Sequence, residues 1–169
     1  MKSVNWGRYS WNLTKFAPVY PAVAPSYSIR RATAEDHDLV KSVVISSFTL
    51  DSAWNPFFRD IHPQIDAALA KMFGEKSEPF CILVSHGSRI IGASCLSAER
   101  DAENHLLTGP CLSMEYHNRG LATALLAESL IALRDAGLTT ARGVTRPGSI
   151  AAQFIYTKFG STRLPEDAS

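Results

Sequence analysis

Leu112-Ser113-Met114-Glu115-Tyr116-His117-Asn118-Arg119-Gly120-Leu121-Ala122-Thr123 is the stretch on which the reading of this chain turns. A strand-forming run ends, a short polar loop follows, and a glycine opens a long helix-forming segment. Leu121, Leu125, Leu126, Leu130 and Leu133 recur at helical spacing, and Gly137 supplies the stop, so a helix is predicted over 120–136. The unpaired amides and partial positive charge of a helix start form a natural seat for phosphate. Gly120 and Ala122 let a ligand approach the backbone, while Arg119 and His117 add charge. The Lys-Ser/Thr pair of a Walker loop is absent, as is the dinucleotide GxGxxG pattern.

Outward from this junction the chain alternates strands and helices. Ser28 to Arg31 reads as a strand, and Thr33-Ala34-Glu35-Asp36 has capping-box form ahead of a helix striped by Leu39, Val40, Val43, Val44 and Phe48. A second helix follows His62-Pro63, with Ile65, Ala68, Leu69 and Met72 on one side, closing near Gly74. The aromatic loop Trp54-Asn55-Pro56-Phe57-Phe58 joins the two. Phe80 to Ser85 and Arg89 to Ala98 pair as a hairpin around His86-Gly87-Ser88. After the polar link 99–104, His105 to Met114 forms a strand in which Gly109-Pro110 predicts a bulge. A strand over Thr139–Thr145 and a last helix, capped by Ser149 and running through Lys158, complete the order. The order β-α-α-β-β-β-α-β-α indicates an α/β fold with a mixed sheet flanked by helices.

Composition narrows the function classes. The chain has 169 residues, with 17 basic against 16 acidic side chains. One domain of ordinary size fits that length, and the near-zero net charge argues against nucleic acid as a partner. No apolar run approaches a membrane span, and the first residues lack the apolar core of a secretory signal, so a cytoplasmic location is expected. Cys81, Cys95 and Cys111 form no metal-ligand pattern and read as reduced, buried thiols. Residues 1–26 form an aromatic arm that holds Trp6, Tyr9, Trp11, Phe16 and Tyr20 but no acid. It carries +3 against −2 for 27–169, and its end, with Pro18, Pro21 and Pro25, is extended. Disordered tails are usually poor in aromatics, so the arm is expected to pack on something.

At the junction the sequence resembles the GNAT N-acetyltransferases. His117-Asn118-Arg119-Gly120-Leu121-Ala122 is similar to the family's Q/R-x-x-G-x-G/A motif, and the segment Ser149–Gly160 is similar to its N-x-x-A-x-x-L-Y-x-K-x-G ending. The two motifs stand in the family's order, and the likeness covers about residues 28–160. His117 replaces Gln or Arg, which would make the pyrophosphate contact pH-sensitive; Ser149 replaces Asn, and Ser161 replaces Phe.

The resemblance implies a GNAT-like fold, acetyl-CoA as cosubstrate with no metal, and a small-molecule or peptide amine as acceptor that attacks the thioester directly. The backbone of Leu112, Ser113 and Met114 would pair with the pantetheine. The segment His117, Asn118, Arg119, Gly120, Leu121, Ala122 and Thr123 would hold the pyrophosphate, and Ser149 and Tyr156 would complete the CoA contacts. Tyr156 would act as general acid to the departing thiolate, because a phenol with a pKa of about 10 stays protonated at neutral pH. The alternative for Tyr156 is a structural hydrogen bond on the inner face of a helix. Lys158 reads as a solvated cation at a helix end.

An amine acceptor with a pKa of about 10.4 needs help to become neutral. Glu99, Asp101, Glu103 and His105 are the candidate bases, with His105 or Glu103 placed first. Trp54, Phe57 and Phe58 would line an acceptor pocket for an apolar or aromatic body. A non-catalytic CoA-binding sensor or scaffold is the alternative function. The family usually adds two closing strands after the position of Gly160, whereas nine residues follow here, so the final strand is expected to be missing. The exposed edge would be covered by the aromatic arm or by a second copy in a homodimer.

Overall fold

The computed structural model describes residues 6–74 and 78–165. In chain order the strands are β1 (Gly7–Asn12), β2 (Tyr27–Arg31), β3 (Cys81–His86), β4 (Arg89–Cys95), β5 (Cys111–Leu112), β6 (Thr140–Thr145) and β7 (Thr162–Leu164). The α-helices are α1 (His37–Leu50), α2 (Phe58–Gly74) and α3 (Leu121–Asp135), and one π-helical turn spans Ala151–Ile155. The strands form two antiparallel sheets, β2-β3-β4-β5 and β6-β1-β7.

The first sheet is covered on both faces, and strand alternation decides what faces which layer. Cys81, Leu83, Ala93 and Cys111 pack against Val40, Val43 and Val44 of α1 and Leu69 and Phe73 of α2. Ile82, Val84, Ile91 and Leu112 face Leu121, Leu125, Leu126, Leu130 and Leu133 of α3. The predicted capping box forms at the start of the α1 layer, where the Thr33 amide donates to Asp36 Oδ2 at 2.8 Å. Arg30 grips the same carboxylate at 2.8 and 3.0 Å.

The second sheet contains one segment of the arm. β1 lies between β6 and β7, pairing Gly7–Asn12 with Thr140–Thr145 on one side and Arg8–Ser10 with Thr162–Leu164 on the other. β1 thus covers the edge of β6, and the short β7 covers the other side of β1. Gly7, Tyr9 and Trp11 alternate inward, and the fully buried Trp11 donates its indole N–H to Lys158 O at 2.8 Å. A buried Trp of this kind stabilises a fold by about 3–5 kcal/mol relative to Ala. Tyr20 anchors the extended part of the arm by donating to Glu128 on α3, which pushes the Tyr20 phenol up to about 12.

Three elements differ from the sequence expectation. The second helix begins at Phe58, so Pro63 lies inside α2; the turn Asn55–Phe57 feeds directly into it and supplies the nucleus that the proline cannot. The strand predicted over His105–Met114 survives only as the Leu96–Leu106 bridge and β5, because Gly109 at φ +64° turns the backbone away between them. The last helix is a single π turn: the Tyr156 amide reaches back five residues to Ala151 O at 2.7 Å.

Candidate active site

The two sheets touch at one end and part at the other. The His105 amide donates to Arg142 O at 2.8 Å, and Ser97 N–H donates to His105 O at 2.9 Å, so residue 105 bridges β6 to the β4 side. Beyond it the chain departs at Gly109, and among the described residues no strand pairs with the far edge of β5. The split opens into a cavity of about 870 Å³ that reaches from the start of α3 to α1, α2 and the arm.

Tyr156 stands at this split. Its ring packs edge-on against Tyr9 and Trp11, with centroids 5.5 and 5.4 Å away, and is 1% exposed. The hydroxyl reaches toward Gly109, where a Cβ would lie 2.5 Å from the oxygen and φ is +64°. Glycine is required there by both space and conformation. No described residue hydrogen-bonds the hydroxyl, and Tyr156 lines the cavity. Burial pushes its phenol well above the ordinary value, so it remains a proton donor across the neutral range.

The phosphate-like seat is built from backbone. Asn118 at φ +63° and Gly120 at φ +78° both adopt left-handed backbone, and a Cβ on Gly120 would meet open space. The unpaired amides of a helix start carry partial positive charge, and this turn leaves the backbone at the start of α3 open to approach. Lys158 donates to Thr123 Oγ1 at 2.7 Å, which holds an ammonium over the first turn of α3. From the sequence Lys158 is a helix-end cation; the motif spacing alone does not show that it folds back onto Thr123.

Leu112, Met114, His117, Asn118, Gly120, Leu121, Ala122, Thr123, Tyr156, Trp54 and Glu103 all line the cavity. Ser113, Arg119, Ser149, Phe57, Phe58 and His105 do not. Arg119 turns outward, donating to Tyr27 Oη at 3.0 Å and lying over the Tyr116 ring. Ser149 is fully buried, bonded to Thr145 Oγ1 at 2.7 Å and accepting from Ala152 N–H at 3.1 Å, so it caps the π turn. Phe57 lies under the Arg146 guanidinium at 3.9 Å, and Phe58 stacks on His62.

His105 is fixed by its surroundings. Arg142 N–H donates to its Nδ1 at 2.9 Å, and its Nε2 donates to Glu99 O at 2.8 Å. The neutral tautomer with Nε2–H satisfies both bonds and leaves no nitrogen to take a proton. Glu103 lies at the cavity rim, 85% exposed, 3.8 Å from Arg8.

Two residues at the site escaped sequence reasoning. Ser47, on α1, accepts from Leu112 N–H at 3.0 Å and donates to Leu112 O at 3.2 Å. It stands where a neighbouring strand would pair with β5, while His117 Nε2 shares the same carbonyl at 3.0 Å. Asp51 is a buried carboxylate in the cavity wall, accepting from Ala53 N–H and from Ile150 N–H, 99 residues away. It thereby ties the end of α1 to the turn that carries Tyr156. A serine inside an amphipathic helix and an acid after it carry no periodic signal.

Comparison with known proteins matches residues 48–160 to the acetyltransferase (GNAT) family. Among solved structures, a GCN5-related N-acetyltransferase from Sphaerobacter thermophilus superposes with a TM-score of 0.68 at 15% identity, covering 94% of this chain and 48% of the other. A GNAT-family acetyltransferase from Colwellia psychrerythraea gives 0.64 at 16%, covering 97% and 54%. A GCN5-related N-acetyltransferase from Kribbella flavida gives 0.59 at 15%, covering 93% and 53%. The chain spans about half the length of each. No curated protein matches the sequence.

Proposed function

The chain belongs to the GNAT family of acetyltransferases, and we propose that it moves the acetyl group of acetyl-CoA to an amine by direct attack within a ternary complex. The observation that carries this reading is the Tyr156 hydroxyl, held protonated and unshared at the split between the sheets. It lies between an anion seat at the start of α3 and an apolar chamber under α1 and α2. A protein that only bound CoA would have no use for an unpartnered donor there.

The residues divide the work. The amides of 118–123 and Lys158 suit the pyrophosphate, and the outer edge of β5 suits the pantetheine once Ser47 yields Leu112. The Met114 amide, next along that edge, is available to the carbonyl oxygen as charge develops on it. The acceptor arrives as an ammonium and loses one proton, for which Glu103 at the rim is an exposed carboxylate that solvent can relay to. The neutral nitrogen attacks the acetyl carbon, the C–N bond forms and the C–S bond breaks. Tyr156 passes its proton to the leaving sulfur and is restored by the second amine proton through solvent. One proton is released in all. Covalent transfer through a cysteine is disfavoured, because burial pushes the Cys111 thiol up to about 12 and the reactive thiolate is scarce.

A thiol-release assay with acetyl-CoA and a panel of amines, run beside a CoA-binding titration, tests the proposal. Amine-dependent release of free CoA supports it. Tight CoA binding with no release for any amine would establish the sensor reading instead.

A further inference from the structure

We propose that the acceptor is a free α-amino acid with an aromatic side chain, its carboxylate held by Arg8 and its amine beside Glu103. This deepens the acetyl-transfer reading and rests on the same cavity.

The acceptor half of that cavity is completed by the arm. Alternation along β1 sends Tyr9 and Trp11 inward toward Tyr156 and α3, so Trp6 and Arg8 share the opposite face, toward α1 and α2. Pairing of Arg8 with both Val144 and Leu164 fixes its backbone from two sides. Trp6 meets Trp54 of the α1–α2 loop with ring centroids 5.8 Å apart, and Trp54 in turn packs edge-on to Phe48 at 5.1 Å. Two distant segments thus build one aromatic shelf, on which a planar ring gains more than an aliphatic chain of equal area.

The charges above the shelf are opposite in sign. Arg8 and Glu103 lie 3.8 Å apart, close enough to attract but beyond hydrogen-bond reach. An exposed pair so loosely joined contributes little to stability. It does present a fork of donors and an acceptor a few ångströms apart. The carboxylate and ammonium of an α-amino acid leave one carbon and meet both groups at once. Polyamines and lysine-rich peptides would bring only positive charge to Arg8, and an N-terminal peptide amine has no carboxylate at that distance. Guanidinium–carboxylate contacts of this kind are bidentate and charge-assisted.

The test measures binding of L-phenylalanine, phenethylamine, L-phenylalaninamide and L-alanine to the CoA-loaded full chain by calorimetry, and turnover of the same four with acetyl-CoA. L-phenylalanine should bind at least about tenfold more tightly than each of the other three. Arg8→Met should bring L-phenylalanine and phenethylamine within about twofold of each other, and Arg8→Lys should restore part of the difference. Equal binding of L-phenylalanine and phenethylamine by the wild type, or a preference that survives Arg8→Met, would overturn the proposal, as would failure of all four to bind. Preferential binding of L-phenylalanine without turnover of any amine would instead overturn acetyl transfer and leave the acceptor assignment standing. Turnover of all four with equal kcat/KM would do the reverse.

Discussion

The two halves of the cavity are built in opposite ways. The half proposed for the donor, from Leu112 to Thr123 with Tyr156 and Lys158, comes from one contiguous loop and one turn. The half proposed for the acceptor draws Trp6 and Arg8 from the arm, Phe48 and Trp54 from around the end of α1, and Glu103 from the link before residue 105. The first is a backbone device, made by left-handed residues and free amides, and tolerates little variation. The second is a side-chain surface laid over a completed fold. On the proposed reading the chemistry is local in sequence, while specificity depends on long-range assembly.

The sharpest way to break this division is to disturb the donor half without touching the acceptor. Gly109→Ala places a Cβ 2.5 Å from the Tyr156 hydroxyl at φ +64°. It should lower kcat by about 10²-fold or more through misplacement of the acid, with the acceptor KM little changed. A large KM effect and intact kcat would show that the halves are not separable. Trp54→Ala works from the other side: steady-state kinetics should show the acceptor KM rising about tenfold while the Kd for CoA stays within about twofold.

A smaller effect tests the seam. Ser47→Ala removes the two hydrogen bonds that occupy the Leu112 backbone, which pantetheine would otherwise have to displace. CoA should bind roughly three- to tenfold more tightly by calorimetry, at a cost of about 1 kcal/mol in stability without ligand. Weaker CoA binding would mean that Ser47 assists the donor rather than yielding to it.

The smallest effect lies outside both halves. Arg30 beside Asp36 holds that carboxyl down at about 2, below its ordinary value of 3.8. The resulting stability is complete above pH 3.8 and lost as the pH falls through 2. Asp36→Asn should therefore cost on the order of 1 kcal/mol at pH 7 in denaturant unfolding. Its deficit should shrink between pH 4 and pH 2, and kcat and KM should be unaffected.

The same contrast explains what the sequence discloses. α3, its glycine stop, the β3–β4 hairpin and the phosphate-like loop all follow from local periodicity and turn chemistry, and they stand where expected. β1 does not, although Gly-Arg-Tyr-Ser-Trp-Asn alternates as a strand should. Its partners lie 128 or more residues away, so nothing nearby identifies it as interior to a sheet. His105 reads as an available base from the sequence, because strand parity places a side chain on a face without fixing its bonds. The backbone amide of Arg142 and the carbonyl of Glu99 hold both ring nitrogens. Lys158 and Ser47 acquire their roles from contacts across 35 and 65 residues. Such pairings leave no pattern in the intervening chain.

Everything proposed for the donor half converges on one oxygen. The most direct test is the single-turnover rate of Tyr156→Phe with acetyl-CoA and a working amine, measured beside its Kd for CoA. Loss of the hydroxyl alone should lower the rate by about 10²–10³-fold and leave the Kd within about twofold. An unchanged rate, or a loss wholly accounted for by weaker CoA binding, would contradict the assignment of Tyr156 as the acid.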